Sequence, residues 1–312
     1  MKKILSVLCC MLLASAMAFS QKINFTEEEY SLIEKAFEQS DNGEEQKAIE
    51  TYAELLNKYP ESGFLMYETA YCYYKLGKYK DAHEFLEKAE KCEDVTADMF
   101  AVDGNSLDNM GLSEFAVEKY KEGLRLFPDS GHLHVELGNV YTMKKDYQEA
   151  LKWYLEGIEH EPNYTSNYYR ASVLLFSSSN PVLGLEYAEV HNLLSPSSAR
   201  SEELSKYIAI VYKKHFAMGD NASVSDIAEK IKENLSAEDY NQQQYHVAGI
   251  RSFHVRVIEA GHWEAYNQWL MRGSDPEAFS EWVEQNEEAF DSFADWYNDN
   301  LFNPGTEEKK GL

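Results

Sequence analysis

The histidines are the residues in this chain best suited to chemistry, and their spacing argues against most of it. His83 and Glu84 begin an H-E pair, but Phe85, Leu86 and Glu87 follow, so the second histidine of a zinc-binding helix is missing. His132 and His134 are two apart, which puts them on different faces of a helix. His254 and His262 are eight apart and could share a face, yet no carboxylate or third histidine stands at ligand spacing. The sequence has no G-x-x-x-x-G-K, no G-x-G-x-x-G and no G-x-S-x-G, so phosphate-cradling loops and nucleophile elbows have no anchor. The expectation is no metal, no cofactor and no catalytic residue. The abundant carboxylates read as a solvated face rather than as acid–base pairs.

The composition narrows the partners. Among 312 residues, Asp and Glu number 54 against 29 Lys and Arg, a net charge of −25. Such acidity disfavours nucleic acid and anionic lipid, which need a basic surface. With 44% hydrophobic and 27% charged residues the chain is globular in composition.

The first residues read as a targeting segment. Lys2 and Lys3 precede the apolar run Ile4 to Leu13, and Ala14, Ser15, Ala16 and Ala18 follow, the order of a secretory signal. Cleavage after Ala18 or after Ser20 fits the small residues, so a signal peptide is expected over 1–20. The apolar run is shorter than the roughly 20 residues that span a bilayer. Cys9 and Cys10 lie too early for a lipoprotein site. No later apolar run of spanning length occurs, so the mature chain is expected to be exported, periplasmic or extracellular, without a transmembrane segment. Cys72 and Cys92 then remain. They are expected as two buried free thiols, because they fall in one helical hairpin at heights that do not face each other.

Five columns recur at a step of 34 residues. Ala48, Ala82, Ala116 and Ala150 form one; Gly43, Gly77 and Gly111 another; Pro128, Pro162 and Pro196 a third, with Pro60 in phase. Ala36, Ala70, Gly104, Gly138 and Ser172 form a column of small residues, and Tyr52, Leu86, Tyr120 and Tyr154 a bulky one. A 34-residue period with small, glycine, alanine, aromatic and proline positions in this order resembles the tetratricopeptide repeat family. The resemblance covers about 29–198: repeats at 29–62, 63–96, 97–130 and 131–164, and a degenerate fifth at 165–198. It implies an all-α, α-α superhelical solenoid of about five helical hairpins, in which small residues mark the closest helix approach and a glycine takes the left-handed cap. Asp94 stands where a proline is expected, Lys145 where a turn glycine is expected, and Gly184 where the alanine belongs. The organisation expected is thus a signal at 1–20, the repeat domain at 21–198, a helical extension capping the stack at 199–303, where the period is lost, and a disordered tail at 304–312. Thr26 with Glu29 reads as a capping box, and Ser274-Asp275-Pro276-Glu277 as a helix start whose helix runs to about Asn300.

In the family, the first helix of each hairpin lines the concave face through repeat positions 2, 5, 9 and 12. Carried onto this sequence, these positions give Tyr30, Ile33 and Phe37; Phe64, Tyr67, Tyr71 and Tyr74; Asp98, Asn105 and Asp108; His132, Val135 and Asn139; and Tyr169 and Phe176. Of these, Tyr67, Tyr71, Tyr74, Asn105 and Asn139 are the expected groove residues, because side-chain amides can bond both the N–H and the C=O of an extended peptide. The repeat 1 and 2 aromatics read equally well as packing between helices. No base occupies positions 2, 5 or 9 apart from His132, so the lysine and arginine clamp that some members use on a terminal carboxylate is missing. The resemblance implies a noncatalytic scaffold that binds a protein or peptide of the cell envelope. The rival reading is a binder of glycan or another small envelope component that stacks sugars on its aromatic residues, and a weaker one is an enzyme within 199–303.

Overall fold

A computed structural model describes residues 24–235 and 249–304. The expected signal at 1–20, nearly all of the tail, and residues 236–248 of the expected helical extension lie outside them. Among the described residues there are sixteen α-helices, one short 3-10 turn and no strand. The fold is all-α, built of helical hairpins. It divides into two compact units between Val140 and Tyr141.

The first unit holds α1 (Glu27–Asp41), α2 (Glu45–Lys58), α3 (Gly63–Lys75), α4 (Tyr79–Ala89), α5 (Ala97–Asn109), α6 (Ser113–Leu126) and nearly all of α7 (Gly131–Met143). Local chemistry sets the helix starts. The Thr26–Glu29 box forms in both directions, at 2.7 and 3.3 Å, and Ser62 and Ser130 cap α3 and α7 through the amides of Leu65 and Leu133. Asp94, where proline was expected, receives the amides of Gly63 and Phe64 at 3.0 Å each. A carboxylate there satisfies two of the donors that a helix start leaves open, and it sits at the positive end of the helix dipole.

The first four hairpins each turn at a left-handed residue. Gly43, Gly77 and Gly111 have φ of +78°, +71° and +79°, and Lys145, one period on in the second unit, has +62°. The lysine keeps the turn: its amide donates to Thr142 and that of Asp146 to Tyr141, the bonding pattern made around Gly43. The small columns are the closest helix contacts. Ala36, Ala48, Ala70, Ala82 and Ala116 are fully buried, and a Cβ on Gly104 would stand 2.2 Å from the Tyr120 ring. Tyr52, Leu86 and Tyr120 fill the space beside them. Cys72 is a buried free thiol as expected; Cys92 is free but only half-buried, because it lies in the turn after α4.

The second unit holds α8 (Tyr147–His160), α9 (Thr165–Phe176), a 3-10 turn (Pro181–Leu183), α10 (Gly184–Leu194), α11 (Ala199–His215), α12 (Val224–Leu235), α13 (Ile250–Glu259), α14 (Trp263–Leu270), α15 (Pro276–Gln285) and α16 (Glu287–Asp299). Ala150, Tyr154 and Ser172 are buried in their columns. Gly184 stands 2.8 Å, by its would-be Cβ, from the Phe176 ring, so the degenerate repeat packs more closely than an alanine allows.

Two expectations change. The period was expected to stop at Pro196, yet α11 begins at Ala199, 34 residues after α9 begins at Thr165. The residue columns end there, but the helix step does not. The last helix was expected to be continuous to Asn300. It breaks at Asn286, whose side chain donates to the Trp282 carbonyl at 2.8 Å and whose ψ of 34° leaves the helical range. Glu287 and Glu288 then open α16 at the favourable end of its dipole.

Candidate functional site

The expected groove residues lie in the first unit, on α3, α5 and α7. Tyr67, Tyr71 and Tyr74 follow the i, i+4, i+7 spacing of one helical face, and their rings form a parallel ladder. The centroids are 6.2 and 6.4 Å apart and the planes 16° and 11° off parallel. Tyr71, the middle ring, is 39% exposed. The Tyr74 hydroxyl lies 3.5 Å from the side-chain amide of Asn109 on α5.

A polar run continues on α5 and α7. Asp98 meets His132 Nδ1 at 2.8 Å, and His132 Nε2 lies 3.4 Å from Glu136. Glu136 accepts from the Asn139 amide at 3.1 Å. Burial alone would lower the His132 pKa, but the hydrogen bonds to Asp98 and Glu136 outweigh it and carry the imidazole up to about 9. The ring is therefore a cation at neutral pH. Burial works to raise Glu136, yet His132 and the two asparagines, Asn139 and Asn105, hold it below the usual carboxylate range.

Asn105 and Asn139 were expected as groove amides able to bond a peptide backbone. Both are half-buried and engaged: the Asn105 carbonyl oxygen takes the Tyr120 hydroxyl at 2.7 Å. The reason is position: Asn105 lies within reach of the tyrosine at position 24 of its own hairpin, and Asn139 within reach of Glu136 one turn before it. Several other inner-stripe residues are core. Ile33, Phe64 and Val135 are buried, and Phe37 packs edge-on against Tyr52 and Phe64 at 6.3 Å. In the second unit Tyr169 is tied to Glu203 at 2.9 Å with Arg200 over its ring at 4.8 Å, and Phe176 stacks on Tyr207.

Profiles of the tetratricopeptide repeat match residues 131–164 and 38–94. The first range is the fourth repeat in the phase set by the alanine and glycine columns. The chain carries tetratricopeptide repeats. Over 122 residues it is 25% identical to anaphase-promoting complex subunit 3 of Dictyostelium discoideum, a stretch covering 38% of this chain and 12% of that protein. The chain thus spans about an eighth of the length of this curated relative. Among solved structures it is similar in fold to pilF of Pseudomonas aeruginosa, at 18% identity and a TM-score of 0.50 over 69% of this chain and 96% of that one. The C-terminal part of a TPR repeat-containing protein from Cytophaga hutchinsonii aligns at 15% identity and a TM-score of 0.48 over 83% and 98%.

Two features of this tetratricopeptide repeat protein were missed in the sequence. Glu189 on α10, His254 on α13 and Tyr266 on α14 form a buried cluster. His254 Nε2 lies 2.5 Å from Glu189 Oε1, and the Tyr266 hydroxyl donates to the same oxygen. The partners are 65 and 77 residues from Glu189, so no spacing rule could pair them. A cleft of about 620 Å³ also opens beside Lys213, Ser225, Gln268, Arg272 and Trp282. Among the described residues no group of three or more His, Cys, Asp or Glu is placed to hold a metal ion, and no helix is long and apolar enough to cross a membrane.

Proposed function

We propose that this protein is an exported, noncatalytic scaffold that takes an extended segment of an envelope protein along the Tyr67–Tyr71–Tyr74 and Asn139 face. Tetratricopeptide repeats are protein-interaction units. The observation that carries the finer reading is the tyrosine ladder. A large ring held between two others while 39% exposed is preorganised contact area, which costs little further entropy when a partner covers it. The adjoining carboxylates and the Asn139 amide supply acceptors and donors for a peptide backbone. Export rests on the Lys2-Lys3, apolar, small-residue order of the first residues.

The test is crosslinking in the native host, mass spectrometry of the captured partner, and binding of that partner to variants. Tyr71→Ala with Asn139→Ala should weaken binding by roughly 1–3 kcal/mol without loss of fold. Full affinity in the double variant refutes the face, and capture of carbohydrate rather than protein refutes the partner class. An uncleaved, cytoplasmic product refutes export.

A further inference from the structure

The bulky column has one odd member. At repeat position 24, the Tyr120 hydroxyl donates to Asn105 at 2.7 Å, and the Tyr154 hydroxyl lies 2.9 Å from the Thr142 hydroxyl. Tyr52 is the same residue at the same position of the first hairpin, fully buried, and its hydroxyl has no partner. The residues that could have served it are unsuitable. Phe37 stands where Asn105 does. Ser40 stands where Thr142 does, and it accepts from Lys75 at 3.0 Å and lies 3.8 Å from the Cys72 thiol.

The carboxylates whose charge acts on that hydroxyl are Glu68 and Asp41. Glu68, on α3 beside Tyr67, is half-buried. Among the described residues no cation is placed against it, for the neighbouring Lys75 is held by Glu45 at 2.9 Å and by Ser40. Burial, and then the like charges of Asp41 and Asp98, push the Glu68 carboxyl up to about 8. The same face carries no lysine or arginine at positions 2, 5, 9 and 12 of the first unit, and its one base, His132, is already shared by Asp98 and Glu136. An unpaired carboxyl thus stands on α3 next in sequence to an exposed tyrosine ladder, on a face without lysine or arginine, and a cationic head would complete both.

We propose that this face selects a basic segment, with a lysine or arginine of the partner pairing with Glu68 and its stem lying along Tyr67 and Tyr71. The proposal rests on the reading of the face as a peptide-binding surface and adds the chemistry of the peptide.

The test uses the full chain and three fluorescent Gly-Ser peptides that carry Lys, Gln or Glu at alternate positions. The Lys peptide should bind, and its affinity should fall steeply with salt, while the Glu peptide should not bind. Above pH 8, where Glu68 is ionised, Glu68→Gln should weaken the Lys peptide about tenfold, whereas Glu118→Gln, which removes one charge from the exposed face of α6, should change it little. Equal binding of the Lys and Gln peptides, no binding of the Lys peptide at low salt, or equal effects of Glu68→Gln and Glu118→Gln overturn the proposal. If the Gln peptide binds and Tyr71→Ala abolishes it, charge selection falls and the peptide face stands. If Tyr71→Ala leaves Lys-peptide affinity intact, both fall.

Discussion

Asp98 and His132 stand 34 residues apart, at the same position of consecutive repeats, and their side chains meet at 2.8 Å. A repeat architecture makes such contacts possible, because equal positions of neighbouring units are stacked upon one another. The pair's charge follows from its surroundings. With the folded pKa of His132 raised from 6.5 to about 9, the stabilisation is fully present below pH 6.5 and is lost as pH rises through about 9. His132→Ala should therefore cost roughly 1–2 kcal/mol at mildly acidic pH and much less at high pH. Urea unfolding of both proteins across that range checks it; a gap that stays constant with pH would show that the ring is not charged.

Glu68 should behave in the opposite sense. Its folded pKa lies above its unfolded value of 4.5, at about 8. The folded state then holds a proton that the unfolded state has released, and stability falls as pH rises between those values. Glu68→Gln should match the wild type near the lower limit and melt higher than it above the upper one. Asp41 and Asp98 are the charges that face Glu68, so removal of either should shrink the difference.

The turn at Lys145 offers a gain. A side chain at φ +62° is strained, and glycine is not. Lys145→Gly should stabilise by about 1 kcal/mol, and Gly77→Ala, at the equivalent turn, should destabilise by a similar amount. Melting curves of the two variants should shift in opposite directions.

Ala82 and Ala116 are fully buried between paired helices. Replacing either with glutamate would bury an unpaired charge and should cost several kcal/mol. An unchanged melting temperature would mean that these positions do not face a neighbouring helix.

Asn105→Ala separates structure from binding. It would leave the Tyr120 hydroxyl buried without an acceptor, so a loss of about 1–3 kcal/mol in stability is expected before any partner is added. Asn139→Ala takes a donor from Glu136, which keeps His132 and Asn105, and should cost less.

The repeat frame was legible because small residues, turn glycines and bulky residues answer to local geometry, and local geometry recurs every 34 residues. Ala48, Tyr52 and Gly43 each do in the structure what their column implied. Asp94 did not look like a helix cap, since its two amides lie about 30 residues upstream and only the folding of the hairpin back on itself brings them together. The tyrosine ladder could be read from its spacing, but Phe64 and Val135 share the same stripe and turn into the core. The stripe is wider than the exposed face, and periodicity alone does not say where its edge lies. The orphan status of Tyr52 needed both Phe37 and Ser40 to be known as its neighbours. The Glu189–His254–Tyr266 cluster joins segments too distant for any periodic rule.

The helix step that survives past Pro196 bears on where this protein can be divided. Pro196 is the last residue that looks like a repeat end, and a fragment stopped at Ser198 would appear natural. It would not be self-sufficient. The Tyr297 hydroxyl donates to the Leu193 carbonyl at 2.6 Å, the Arg272 guanidinium donates to the carbonyl of Pro196 itself, and Ser201 caps the Ser195 carbonyl at 2.6 Å. Removing residues beyond 198 would leave those carbonyls without their donors and bare Leu185, Val190 and Leu193, which are buried in the whole chain. A soluble piece of the second unit should therefore keep α11 to α16, and the shorter piece should aggregate on purification.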